Sequence, residues 1–177
     1  TNLTEYDWDE NYNANREWNP TWWTVTLSQA ALISGSHPLE LFGNLLCIGD
    51  KNLFHTVLKN IDYSYTTTNP RLVFPNNYTV NWIKSTKDTV YIGLANDKGN
   101  DYPSLFVEFD PLSEQVREVT IEEGSTIGFV NGNIVYVVDY VGNIKYWTGS
   151  IFERVISFPS AYIPNGYVEI HRNGIHS

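Results

Sequence analysis

Apolar residues in this chain come in short runs with polar punctuation, and one run returns three times. Asn44 to Asp50 (NLLCIGD), Asp88 to Leu94 (DTVYIGL) and Asn133 to Asp139 (NIVYVVD) each open on a turn residue and continue nearly all apolar, centred on Cys47, Tyr91 and Tyr136. Those centres lie 44 and 45 residues apart, the length of one four-stranded blade of a β-propeller. A run that is apolar at almost every position fits a strand buried on both faces.

Reading outward from each run gives the same four-part order. An inner strand precedes it, at Leu39 to Phe42, Thr79 to Ile83 and Thr126 to Val130. Polar turns follow at Gly43-Asn44, Ser85 to Asp88 and Asn131-Gly132-Asn133, and Asn-Gly predicts a type I′ hairpin because both residues accept positive φ. The third strand is expected at Asn52 to Val57, Ser104 to Asp110 and Asn143 to Trp147. Strict alternation there places Leu105, Val107 and Phe109 on one face and Phe106 and Glu108 on the other. Outer strands are predicted at Arg71 to Phe74, Val116 to Ile121 and Phe152 to Phe158, with Pro75 and Pro159 ending two of them because proline cannot donate to a sheet ladder.

The predicted fold is therefore all-β, an antiparallel β-propeller or propeller segment with repeats at about 37–75, 76–121 and 122–159 and an incomplete repeat at 160–177. Residues 1–36 fall outside the pattern and read as an irregular arm, in which Trp22 to Leu27 is one candidate strand of a preceding blade. Closed rings need about four to eight blades. Three and a fraction leave sheet edges and faces open, so the remaining blades are expected from a longer chain or from copies of this one. A start at Thr1 and the lack of any Met suggest a processed product or an excerpt.

Composition agrees with this picture: 42% of the 177 residues are hydrophobic and 15% aromatic, with 18% charged, which suits a globular all-β chain and excludes a disordered polyelectrolyte. A formal charge of −9 repels phosphate backbones, so nucleic acid is not an expected partner. No apolar run reaches the roughly 18 residues that a membrane-spanning helix needs. Cys47 is the single cysteine, so the chain holds no internal disulfide and the thiol reads as a small buried hydrophobe.

Candidate chemistry is sparse. His37, His55, His171 and His176 lack metal-ligand spacing and read as surface or turn residues. Oxygen side chains alternate at Asp7, Asp9 and Asn11, which suggests a calcium loop. Tyr12 and Trp18 stand, however, where such a loop needs Gly and Glu. Asp97 and Asp101 in the long connection Asn96 to Pro103 are the other calcium candidates. No Gly-x-Ser-x-Gly or phosphate loop is present, and nothing pairs Glu108, Asp110, Glu122, Glu123 or Asp139 as glycosidase carboxylates. No catalytic residue or cofactor is assigned. The candidate ligand or partner surface comprises Trp18, Trp22 and Trp23 of the arm with Asn96, Asp97, Asn100, Asp101 and Tyr102 of the connection. Trp82, Trp147 and Phe129 are a further candidate set for sugar stacking, with the core as the commoner place for strand aromatics. Asn2-Leu-Thr4 and Asn77-Tyr-Thr79 are glycosylation sequons.

The stretch from Arg71-Leu-Val-Phe-Pro75 through Thr79 to Gly93 and on to Arg154-Val-Ile-Ser-Phe-Pro159, with Trp147-Thr-Gly-Ser-Ile-Phe152, resembles β-propeller repeat proteins of environmental phages and prophages. The resemblance covers roughly residues 37 to 175. It implies a virion or tail-associated structural role with no catalytic residues. It also implies further blades beyond His171-Arg-Asn-Gly-Ile175. The function expected from all of these readings is a non-enzymatic structural or recognition module of an extracellular particle, with other protein subunits or surface glycans as partners and no membrane insertion. The alternative expectation is a secreted or cell-surface carbohydrate-active propeller.

Overall fold

The computed structural model describes residues 37–157 and the short strands Glu169–His171 and Gly174–His176. Every regular element among them is a strand. The first sheet runs β1 (Leu39–Phe42), β2 (Leu45–Asp50), β3 (Leu53–Lys59) and β4 (Tyr65–Val73); the second runs β5 (Tyr78–Ser85), β6 (Val90–Asn96), β7 (Ser104–Phe109) and β8 (Val116–Ile121). The third runs β9 (Thr126–Asn131), β10 (Ile134–Asp139), β11 (Asn143–Trp147) and β12 (Phe152–Ser157), and β13 (Glu169–His171) pairs with β14 (Gly174–His176) as a hairpin. Each four-stranded sheet is an antiparallel meander in sequence order. The three sheets do not close into a ring among the described residues.

The strand registers align the repeats residue by residue. Cys47, Tyr91 and Tyr136 pair with Glu40, Lys84 and Phe129, and their neighbours Leu46, Val90 and Val135 pair with Leu41, Ser85 and Val130. Because side chains alternate across a strand, the first set lies on the far face of each sheet and the second on the near face. Buried clusters show how the faces meet. Leu45, Cys47 and Phe54 on the far face of the first sheet pack against Ile83, Val90, Ile92 and Phe109 on the near face of the second. Trp82, Tyr91 and Phe106 on the far face of the second pack against Val135, Val137 and Trp147 on the near face of the third. Each fully buried aliphatic or aromatic side chain contributes about 1.5–3 kcal/mol, so these two junctions hold the sheets in series.

Burial of the recurring runs follows the expectation, with β6 buried from Val90 through Leu94. The alternation in β7 is also as predicted: Leu105, Val107 and Phe109 face the first sheet and Phe106 faces the third. Three features differ. The outer strand β4 begins at Tyr65, six residues before the predicted start, because its Thr-rich stretch pairs with β3 from Thr56 to Lys59. Pro70 lies inside it, on an edge where a missing donor costs no ladder bond. The turns at Gly43-Asn44 and Gly132-Asn133 place positive φ on the glycine alone, the pattern of type II′ rather than I′. Finally, Asn81 is an extra residue in β5 opposite β6. That bulge turns Trp82 onto the face opposite Val80, although two residues apart would share a face in a regular strand.

Candidate functional site

The junctions differ in polar chemistry. At the first, Glu40 Oε2 accepts from the Ser85 amide at 2.7 Å and from its hydroxyl at 3.3 Å, and the Val80 amide donates to Lys51 O at 2.7 Å. At the second, the Trp82 indole donates to Thr126 Oγ1 at 2.9 Å, Asn81 Nδ2 donates to Thr126 O at 2.8 Å, and the Trp147 indole donates to Glu108 Oε2 at 2.7 Å. Lys145 Nζ lies 2.6 Å from Glu123 and 3.4 Å from the buried Asp139. Asp139 Oδ1 accepts from the Val141 and Asn143 amides at 3.1 and 2.9 Å, so this carboxylate closes the β10–β11 turn. Outer strands add a tether: the Arg71 guanidinium lies over the Phe109 ring and donates to Pro111 O, and that of Arg117 lies over Trp147 and donates to Gly149 O.

Four of the five carboxylates considered as catalytic candidates thus hold structure. Glu108 receives an indole N–H, Glu123 and Asp139 flank Lys145, and Asp110 accepts from the Leu112 amide at 2.9 Å. Hydrogen bonds from Leu112 and Ser113 hold the Asp110 carboxyl below its usual range, as expected where donors favour the charged form. Burial, reinforced by Glu108, pushes the Tyr91 phenol up. Burial also raises the Cys47 thiol to about 12, with a smaller contribution from Glu40, so its nucleophilic thiolate is suppressed.

The candidate loop residues are placed as follows. Thr79 Oγ1 donates to Asp97 Oδ1 at 2.6 Å, the Lys98 amide donates to Asn96 Oδ1 at 3.0 Å, and Ser125 Oγ donates to Asn100 Oδ1 at 2.5 Å. These oxygens organise the loop and pin it to the connection before β9. Asp101 and Tyr102 are exposed, with Lys98 Nζ 5.5 Å from the centre of the Tyr102 ring. No group of three His, Cys, Asp or Glu suited to a metal forms among the described residues. Asp7, Asp9, Asn11, Trp18, Trp22, Trp23 and the Asn2 sequon lie outside the described residues, as do Phe158 and Pro159. Asn77 of the other sequon is half-buried, and its carbonyl accepts from the Asp97 amide at 2.8 Å. His55, expected at a surface or turn, is buried in β3. His37 Nδ1 lies 3.2 Å from Gly49 O. Trp82 and Trp147 are buried at the second junction, which removes them from any sugar-stacking surface.

Large apolar groups stay exposed on the near face of the first sheet, and on the far face of the third a half-buried aromatic row lies beside the buried Val138 and Ile144. Leu39 and Leu41, on the near face of the first sheet, are 60% and 65% exposed, whereas Ile83, the counterpart of Leu39 in the second sheet, is 2% exposed. Beside them a cleft of about 260 Å³ is lined by Leu41, Leu46, Val57, Lys59 and Tyr65. Deeper on that face Ile48 and Val57 are buried, so the open part is confined to the inner strand and its turn. On the far face of the third sheet Phe129, Tyr136 and Tyr146 form a half-buried row. The Phe129 and Tyr136 rings stack at 5.6 Å with planes 8° apart, and Tyr146 follows at 6.3 Å from Tyr136. The Tyr146 hydroxyl donates to Glu153, which raises the phenol above its usual range. Sequence reasoning named Phe129 as a stacking candidate and missed Leu39, Leu41, Tyr136 and Tyr146. Setting positions 41, 85 and 130 side by side would have shown a leucine where the second repeat has a serine.

Comparison with known proteins returned no match to a family, a curated protein or a solved structure.

Proposed function

We propose that the three sheets are consecutive blades of a β-propeller and that the chain is a non-enzymatic structural and recognition module of an extracellular particle, a phage virion or tail-associated protein, joined to other protein through its sheet faces. The observation that carries this reading is the pair Leu39 and Leu41: large aliphatic side chains, majority exposed, at positions used for sheet-to-sheet packing one repeat later. Exposed apolar groups on a face built for packing mark an interaction surface. Engagement of Glu108, Asp110, Glu123 and Asp139 in structural contacts favours binding over catalysis.

Binding and turnover assays on one glycan panel test the reading, alongside sedimentation of the wild-type chain and a Leu39→Asp variant. Association weakened by Leu39→Asp, with an unchanged melting temperature and no glycan cleavage, is the expected result. Hydrolysis of any glycan, lost in Glu108→Gln or Asp110→Asn, would overturn it in favour of a carbohydrate-active enzyme.

A further inference from the structure

We infer that the loops joining the third strand of each sheet to the fourth form a rim of apolar tips that docks the chain on a zwitterionic lipid surface, entering the headgroup layer from one side without crossing it. This goes beyond the reading above and uses loops rather than sheet faces. The three loops lie at one end of the sheets, where the inner hairpins turn, because each third strand ends beside the start of the second: Leu58 pairs with Leu45, Phe109 with Val90 and Tyr146 with Tyr136. Each loop lifts a large aliphatic side chain into water: Ile61 is fully exposed, Leu112 is 89% exposed and Ile151 58%. Tyr63, in the same loop as Ile61, is 76% exposed. Single exposed apolar residues need no explanation, but the same loop carrying one in three consecutive repeats is a pattern. The tips are also fixed relative to one another. Arg71 donates to Pro111 O at 3.1 Å and Arg117 to Gly149 O at 2.6 Å, so the outer strand of each sheet holds the loop of the next.

The loops are built to leave water. A backbone amide that enters an apolar layer without a partner is costly, and tip amides here have partners inside their own loops. Asp62 Oδ1 accepts from the Ser64 amide at 3.0 Å, and the Tyr63 amide donates to Asn60 O at 3.0 Å. Asp110 Oδ1 accepts from the Leu112 amide at 2.9 Å, and Thr148 Oγ1 from the Ile151 amide at 3.1 Å. Tyr63 stands at φ 67°, a left-handed conformation that a bulky residue adopts at a cost and that these bonds maintain. Lys59 Nζ lies 5.5 Å from the centre of its ring. A tyrosine with a cation beside it suits the boundary between headgroups and acyl chains.

Spacing and charge select the partner. The tips stand on separate loops, and the inner turns at that end, such as Lys87-Asp88 and Gly132-Asn133, are polar, so the tips do not merge into one apolar patch among the described residues. A deformable layer accepts separate tips one by one, whereas a protein would need a matching pocket for each. Asp62, Asp110 and Glu114 belong to the same loops, and the chain carries a net charge of −9. Both favour the choline ammonium of a zwitterionic headgroup and oppose an anionic leaflet.

Co-flotation of the full chain with phosphatidylcholine vesicles decides the matter. The wild-type chain should float with them. Ile61→Ser, Leu112→Ser and Ile151→Ser should each weaken partitioning by about threefold to tenfold, and the triple variant should stay in the soluble fraction. Circular dichroism should show unchanged melting, since these side chains are mostly in water in the folded chain. Adding phosphatidylserine to the vesicles should weaken binding, and Leu39→Ser should leave it unchanged, which separates the rim from the sheet face. A wild-type chain that stays off phosphatidylcholine vesicles, or a triple variant that floats as well as wild type, overturns the inference. Stronger binding to vesicles containing phosphatidylserine overturns the choice of lipid. Self-association without flotation, abolished in the triple variant, overturns the lipid surface in favour of a protein contact at the same rim.

Discussion

The two junctions between sheets share a backbone plan and differ in what fills it. The first is mainly aliphatic, with Phe54 and Phe109 meeting edge-on at 5.7 Å and polar contacts at its margin. The second is aromatic. Phe106 lies within 6.1 Å of the rings of Trp82, Tyr91, Trp147 and Phe152, and two indole N–H groups are bonded across it. Strand order and register are therefore what repeats, while side-chain chemistry is free to change. A junction of rings is also less forgiving than one of aliphatic chains, because planar groups fixed by hydrogen bonds have few alternative packings.

Glycine substitutions should separate the junctions most sharply. A Cβ on Gly128 would stand 2.4 Å from the Trp82 ring, whereas one on Gly49 would meet the Val80 side chain at 2.5 Å. The indole is held by Thr126, so Gly128→Val should cost about 3 kcal/mol or more in urea denaturation and Gly128→Ala more than Gly49→Ala. Equal costs for the two alanine variants would dissolve the distinction. Of comparable size, Phe106→Ala should lose about 3–5 kcal/mol and unfold the second and third sheets together, which hydrogen exchange resolves by sheet.

The aliphatic junction has its own signature in alkali. Because burial raises the folded Cys47 thiol to about 12 from a reference of 9.0, the folded state keeps a proton that the unfolded chain releases. This contribution is complete below pH 9 and declines as pH rises from about 9 towards 12, by about 1.4 kcal/mol per pH unit. Cys47→Ala should remove one proton's worth of that slope, and native Cys47 should resist thiol reagents until the chain unfolds. A wild-type slope in the alanine variant would contradict the assignment. The smallest effect is polar: Trp82→Phe and Thr126→Val should each cost about 1 kcal/mol, and a double-mutant cycle should return coupling of similar size.

By itself, the sequence determined the local structure and its recurrence. Short apolar runs with Gly and Asn punctuation admit strands and tight turns, so the order of four strands, the 44- and 45-residue period and the alternation in β7 were legible before any coordinates. These depend on neighbours along the chain, which a sequence displays. Contacts between distant residues are not displayed. Only the tertiary structure turned Trp82 to the third sheet through the bulge at Asn81, buried His55, extended β4 back to Tyr65 and assigned Glu108 and Asp139 to structural bonds. It also decided which apolar positions remain open. Leu39 and Ile83 look alike as strand residues, and their burial differs because one sheet has a described neighbour on that face while the other's inner strand does not.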